Sequence, residues 1–300
     1  MAGKIGFIGL GNMGGPMAAN LVAAGYAVSG FDLSPDAREA ARAGGVAVAS
    51  SPAETAADAD AVVTMLPAGR HVVQVWTDLA DAVRAGMPVI DSSTVDVDSA
   101  RRAHALLAAK GCLTLDAPVS GGTGGAAAGT LTFMVGGTAE AFAAGEPILG
   151  KMGKRIVHCG GAGAGQAAKI CNNMILGISM AGVCEAFALA EKLGLSHQAL
   201  FDVASTSSGQ CWSLTSYCPV PGPVPASPAN RDYQPGFAAA LMLKDLRLAQ
   251  EAALASGAAT PLGAQAAQLY GLFESLGRGN EDFSAIIRLL RGGVAGTKSL

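Results

Sequence analysis

Apolar residues follow two regimes along this chain. Up to about Gly163, short apolar runs alternate with stretches of helical periodicity. "KIGFIGL" reads as a strand, "GGPMAANLVAAG" as a helix that ends on Gly25, and "AVSGFDL" as the next strand. Ser34 and Pro35 then start another helix. "AVVTMLP", "PVIDSST", "TLDAPVS", "TLTFMVGG" and "RIVHCG" follow as further strands. Strands separated by helices of about ten to fifteen residues indicate a parallel, doubly wound sheet. After Gly163 the pattern is almost wholly helical. Positions 164–193 lack proline and predict a helix of about 45 Å at about 1.5 Å per residue. "HQALFDVASTSS", "ALMLKDLRLAQEAALASG" and "PLGAQAAQLYGLFESLG" read as further helices. The segment 218–236, "CPVPGPVPASPANRDYQPG", is too rich in proline for either regular element. The expected fold is α/β, with a doubly wound domain over 1–163 and an all-α domain over 164–300 that begins with the long interdomain helix.

Composition narrows the classes. The chain has 300 residues, 50% hydrophobic and only 14% charged, which suits one or two packed domains and excludes a disordered chain. A net charge of -3 without a dense Lys/Arg run argues against nucleic acid as a partner. No run of about 18 uninterrupted apolar residues occurs, so no membrane-spanning helix is expected. The apolar N-terminus is broken by glycines and runs straight into a phosphate-binding motif, so it reads as a first strand rather than a signal peptide. The six cysteines make no C-x-x-C pair and the four histidines are scattered. No metal site is expected from that spacing, and free thiols suit a reducing cytoplasm.

Gly9, Gly11 and Gly14 form G-x-G-x-x-G between a strand and a helix. Such a turn lets a pyrophosphate approach backbone N–H groups at a helix N-terminus, the device of Rossmann-type folds. Leu10, Asn12 and Met13 complete the turn, and Asp32 closes the second strand about 20 residues on. Its carboxylate suits an adenosine ribose diol and repels a 2′-phosphate, and no arginine follows closely, so NAD is expected over NADP. Met65, Leu66, Pro67 and Thr94 lie at the carboxyl ends of later strands. They suit walls for the ribose and nicotinamide, or are ordinary strand ends with helix caps. Ser120, Gly121 and Gly122 offer a hydroxyl and backbone N–H groups to a small carboxylate, or form a flexible loop.

Lys169, Asn172 and Asn173 open the long helix at i, i+3 and i+4, on one expected face. The rest of that helix is apolar nearly all round and reads as buried. Either the three are a solvated start, or they face a ligand needing an amine and amides. Burial and the helix N-terminus would both lower the ammonium's pKa, toward proton transfer at neutral pH. Lys244 and Asp245, in "LKDLRLA", are either a ligand contact or a surface pair.

These motifs, in this order and over essentially the whole chain, resemble the β-hydroxyacid dehydrogenase family. "GFIGLGNMGGPMAANLVAAG" looks like its N-terminal signature, "DAPVSGGTGGAAAGTL" its substrate segment and "GAGQAAKICNN" its catalytic segment. "SSGQCWS" and the Pro-rich insertion resemble the branch that oxidises 3-hydroxyisobutyrate, although Cys218 stands where asparagine would precede the proline. The resemblance implies NAD-dependent, metal-free oxidation of the (S) acid, a step of valine breakdown. It implies Lys169 as the catalytic amine, Asn173 as the orienting amide, Ser120 with Gly121 and Gly122 as the carboxylate cradle, and Lys244 as a cofactor contact. Trp212, with Phe237, is expected to wall the substrate methyl. The expected partners are a small hydroxy acid and a second copy, in a homodimer or homotetramer. The alternatives are a sibling enzyme such as a tartronate semialdehyde reductase, and a non-catalytic NAD-binding module. A phosphogluconate-type enzyme would need a basic cluster that the sequence does not show.

Overall fold

The computed structural model describes residues 3–292. The chain divides into two compact units, Met1–Lys169 and Ile170–Leu300. The first contains β1 (Lys4–Ile8), α1 (Gly14–Ala23), β2 (Ala27–Phe31), α2 (Pro35–Ala43), β3 (Ala47–Val48), α3 (Pro52–Ala57), β4 (Ala61–Thr64) and α4 (Gly69–Leu79). It continues with β5 (Pro88–Asp91), α5 (Val97–Ala108), β6 (Leu113–Asp116), β7 (Val119–Ser120), α6 (Gly122–Ala128), β8 (Leu131–Gly136), α7 (Ala139–Leu149) and β9 (Gly153–Gly160). The long helix α8 (Ala164–Lys192) begins in this unit and continues into the second.

Strands β3-β2-β1-β4-β5-β6 lie parallel in that order, the doubly wound Rossmann arrangement. Period-2 side-chain alternation builds two cores from the same strands. Phe7, Val63 and Ile90 pack on one face with α1 and α7, while Ile8, Val62 and Val89 pack on the other with α4 and α5. Ser34 caps α2 as expected, accepting from Ala37 N–H at 3.3 Å.

The sheet is not wholly parallel, which corrects one expectation. β8 runs antiparallel to both β6 and β7, and β9 then pairs parallel with β8. Only β7 and the seven-residue α6 separate β6 from β8, in place of a full crossover helix. The two-residue strand β3 escaped the sequence reading because so short a run carries no alternation, and "TLDAPVS", read as one strand, is split into β6 and β7.

The second unit contains α9 (His197–Ala204), α10 (Trp212–Thr215), α11 (Ala239–Ser256), α12 (Pro261–Phe273) and α13 (Ile287–Leu290). Its core gathers Met180, Phe187, Met242, Leu246, Tyr270 and Phe283. The Pro-rich segment is not wholly irregular, since Pro228–Arg231 forms a 3-10 turn. Ser227 Oγ donates to the Cys218 carbonyl at 2.5 Å and Tyr233 OH to the Pro219 carbonyl at 2.7 Å, so the segment is held from within.

By length and composition alone α8 is apolar enough to cross a membrane. It is not buried all round, which corrects the second expectation: Ile175 and Leu189 are exposed. Nor do the three polar residues share one buried face. Lys169 and Asn173 are buried, whereas Asn172 is exposed. Adjacent residues differ by about 100° around a helix, so burying Asn173 turns Asn172 outward.

Candidate active site

The turn after β1 is shaped partly by the fold and partly by something outside it. A Cβ at Gly9 would stand 2.1 Å from the Met65 carbonyl, and one at Gly14 would stand 1.9 Å from the Gly9 carbonyl. A Cβ at Gly11 would meet nothing within 4 Å. Packing therefore demands Gly9 and Gly14, while Gly11 leaves open the approach that a pyrophosphate needs. Gly11 and Asn12 are exposed, Met13 half-buried and Leu10 buried.

Asp32 ties itself to this turn. Its Oδ2 accepts from Leu10 N–H at 2.7 Å and its Oδ1 from Ser34 N–H at 2.7 Å. A carboxylate oxygen accepts more than one hydrogen bond, so both can still receive a ribose hydroxyl. Turn and acid together fit a dinucleotide. The expectation of no nearby arginine needs correction. Arg38, on the first turns of α2, reaches back and donates to the Asp32 carbonyl at 2.7 Å.

The ends of β4 and β5 are joined by buried polar groups. Thr64 Oγ1 and Ser93 Oγ donate to Asp91 Oδ1 at 2.7 and 2.6 Å, and Ser93 Oγ also accepts from Leu66 N–H at 2.7 Å. Met65 N–H donates to the Ile8 carbonyl at 2.9 Å. Met65, Leu66 and the Thr94 loop are thus held with β1 and the dinucleotide turn, and Pro67 follows on the surface. Asp91 is fully buried and its Oδ2 has no hydrogen-bond partner among the described residues. Burial raises its carboxyl from an ordinary 3.8 to about 6, against hydrogen bonds from Ser93 and Thr64 that lower it; nearby Asp116 adds to the rise.

Asp116, the register partner of Asp91 on β6, is also buried. Its oxygens accept from Gly163 N–H at 2.8 Å and Gln166 N–H at 2.9 Å, at the start of α8. His104 Nε2 lies 3.0 Å from Oδ1, and its Nδ1 lies 2.9 Å from Thr114 Oγ1. A strand-end carboxylate therefore supplies acceptors to the unpaired N–H groups of the helix that carries Lys169. Lys169 is only 7% exposed.

Ser120 ends β7, and Gly121 and Gly122 follow with φ of +136° and +60°. Those left-handed values favour glycine, which explains the pair without reference to a ligand. Asn20 Nδ2 donates to the Ala126 carbonyl at 2.6 Å, tying α1, the dinucleotide helix, to α6, which opens at this loop.

In the helical unit, Asn173 Nδ2 donates to Asp245 Oδ2 at 2.5 Å. Asp245 is buried, so the reading of Lys244–Asp245 as a surface pair is corrected. Lys244 Nζ lies 3.8 Å from Asp245 Oδ1 and is partly exposed. Trp212 stacks on Tyr217 with ring centroids 4.8 Å apart, Tyr217 on Phe283 at 5.3 Å, and Phe237 meets Phe283 edge-on at 5.7 Å. Trp212 and Phe237 are therefore linked through two rings the sequence reading left out. Tyr217 OH donates to Asp282 Oδ2 at 2.9 Å, and burial beside that carboxylate raises the phenol.

Sequence reasoning also passed over Gln166, Asp91, Asp116, His104 and Asp282. A signal existed for two of them: Asp91 and Asp116 are the acids that close the short strands "PVID" and "LTLD".

Comparison with known proteins adds to this geometry. The model for the NAD binding domain of 6-phosphogluconate dehydrogenase matches residues 4–161. The model described as NAD-binding of NADP-dependent 3-hydroxyisobutyrate dehydrogenase matches residues 163–290. A probable 3-hydroxyisobutyrate dehydrogenase of Mycobacterium tuberculosis is 55% identical, over 96% of this chain and 97% of that protein. An NAD-dependent L-serine dehydrogenase of Pseudomonas aeruginosa is 47% identical, over 95% of this chain and 97% of that protein. A solved structure of Mycobacterium tuberculosis 3-hydroxyisobutyrate dehydrogenase with L-serine superposes with a TM-score of 0.95 at 54% identity, covering 97% of this chain and all of that one.

Proposed function

The chain belongs to the 3-hydroxyisobutyrate dehydrogenase family, and on that premise we propose that it oxidises 3-hydroxyisobutyrate to methylmalonate semialdehyde, a step of valine breakdown. The observation that carries the proposal is a lysine buried one helical turn before a buried asparagine, Lys169 and Asn173. Bound NAD supplies the hydride acceptor. Lys169 Nζ takes the proton from the substrate hydroxyl as the carbinol C–H bond breaks, and returns it in the reverse direction. Asn173, held by Asp245, orients the hydroxyl. Ser120 and the Gly121–Gly122 amides hold the carboxylate. Trp212 walls the methyl group and Lys244 contacts the cofactor. The Gly9–Gly14 turn, Asp32, the Met65–Pro67 segment and Thr94 hold the dinucleotide.

The test is Lys169→Ala. Turnover falls about 100- to 10,000-fold, the usual worth of a positioned acid or base, while NAD affinity stays within threefold. Near-wild-type kcat in this variant refutes the mechanism. Asp32 sets the cofactor preference, and kcat/KM is expected to be higher with NAD than with NADP. The reverse ratio would give control of that site to Arg38.

L-serine is the second reading, favoured by the relative named for it and by the similar structure that contains it. Serine shares the carboxylate and primary alcohol and carries an ammonium where 3-hydroxyisobutyrate carries a methyl. An apolar wall favours the methyl, so kcat/KM is expected to be higher for 3-hydroxyisobutyrate, and a higher value for serine reverses the assignment. Self-association is part of the proposal. Ile175, Leu189, Leu193 and Leu262 are exposed on the helical unit, and sedimentation velocity counts the copies. The six thiols are unpaired, which suits a reducing compartment.

A further inference from the structure

Gln166 has no exposed surface, and both ends of its side-chain amide are engaged. Its Oε1 accepts from Val95 N–H at 3.1 Å and its Nε2 donates to the Ser93 carbonyl at 2.7 Å. Those two backbone groups flank Thr94. The amide therefore clamps the main chain on either side of Thr94, as a neighbouring strand would. Its own backbone N–H donates to Asp116 Oδ2 at 2.9 Å. One residue thus fastens the first turn of α8 to the ends of two strands, β5 and β6. Lys169 follows Gln166 by three positions, so the two are neighbours on one face of the helix. All of these groups lie within the dinucleotide unit, Met1–Lys169.

We propose that Gln166 is a positioning residue for proton transfer: its side-chain amide fixes the Lys169 amine relative to the Thr94 loop. The proposal rests on the reading of Lys169 as the proton acceptor. A displacement of about 1 Å in a reacting group can lower a rate about 100-fold, so a clamp one turn away has kinetic leverage.

Two substitutions test it. Gln166→Met keeps the length and removes both hydrogen bonds. Gln166→Glu keeps the acceptor for Val95 N–H but, when ionised, turns an oxygen toward the Ser93 carbonyl. Protonated, the same glutamate donates to that carbonyl and restores the pattern of the amide. The Gln166→Met variant should lose about 10- to 100-fold in kcat, with the primary deuterium isotope effect on the carbinol C–H enlarged. Its NAD dissociation constant and its KM for the hydroxy acid should stay within threefold. For Gln166→Glu, the ratio of its kcat to that of wild type should rise as pH falls. Asp116, His104 and Asp91 titrate or carry charge nearby, and the Gln166→Met ratio across pH corrects for them.

A merely structural glutamine would lower the melting temperature and leave these ratios flat. Wild-type kcat in both variants, a loss confined to NAD binding, or a flat Gln166→Glu ratio overturns the proposal. Should Gln166→Met fail to fold, the Gln166→Glu profile decides alone. If Lys169→Ala keeps wild-type turnover, the reading of the amine falls. If Lys169→Ala is inactive while both Gln166 variants match wild type, only the clamp falls.

Discussion

At the start of α8 the chain is held by buried polar groups; around Trp212 it is held by ring faces and one carboxylate. The first arrangement joins Asp116, Gln166, Ser93 and Val95 through hydrogen bonds of 2.7–3.1 Å. Each bond there satisfies a buried donor, so losing one partner strands another. The second joins Trp212, Tyr217, Phe283 and Phe237 through stacking, with Asp282 receiving Tyr217 OH and the Gly236 and Phe237 N–H groups. A ring pair contributes about 0.5–1.5 kcal/mol beyond its buried area, and its geometry tolerates exchange better. The first arrangement carries Lys169, the proposed proton acceptor, and the second carries Trp212, the proposed substrate wall.

The sharpest way to break the contrast is at Asp116. Asp116→Ala leaves the Gly163 and Gln166 N–H groups and the His104 ring without their acceptor. Unfolding free energy should fall by about 4 kcal/mol, measured by urea denaturation. A fall below about 1 kcal/mol would mean that these bonds do not hold the turn.

Next in size is a pH effect at Asp91. Its folded carboxyl is raised from 3.8 to about 6. A raised folded value favours the protonated form, so the stabilisation is full below about 3.8 and is lost as pH rises through about 6. Asp91→Asn carries no such loss. The stability of Asp91→Asn relative to wild type should therefore rise by about 3 kcal/mol between pH 3.5 and 7. A constant difference over that window would mean that the carboxyl titrates as an ordinary one.

The smallest effect is expected at the aromatic loop. Trp212 is about half exposed, so Trp212→Ala should lower stability by only about 1 kcal/mol. Its readout is specificity: preference for 3-hydroxyisobutyrate over L-serine should drop about 10-fold, the worth of a methyl contact. An unchanged ratio would remove Trp212 from the substrate wall.

The same contrast explains what could be read in advance. Strand–turn–helix order and the glycines at 9, 11 and 14 are local signals, and they led to the doubly wound sheet and the dinucleotide turn. Lys169 stood out because a lysine interrupts an apolar helix. Gln166 did not, because a polar residue in a first turn looks solvated until its partners, more than 70 positions away, are known. Asp116 is likewise defined by groups 47 and 50 positions on. Tyr217 and Asp282 meet across 65 positions, which take in the Pro-rich segment and the helices α11 and α12. Arg38 lies six positions after Asp32 in the chain, yet the first turn of α2 returns it to the Asp32 carbonyl.

The most direct test of the account is single-turnover NADH formation by Lys169→Ala at saturating NAD and 3-hydroxyisobutyrate. The account predicts a hydride-transfer rate lower by about 100- to 10,000-fold with NAD affinity within threefold of wild type. A rate within threefold of wild type would contradict it.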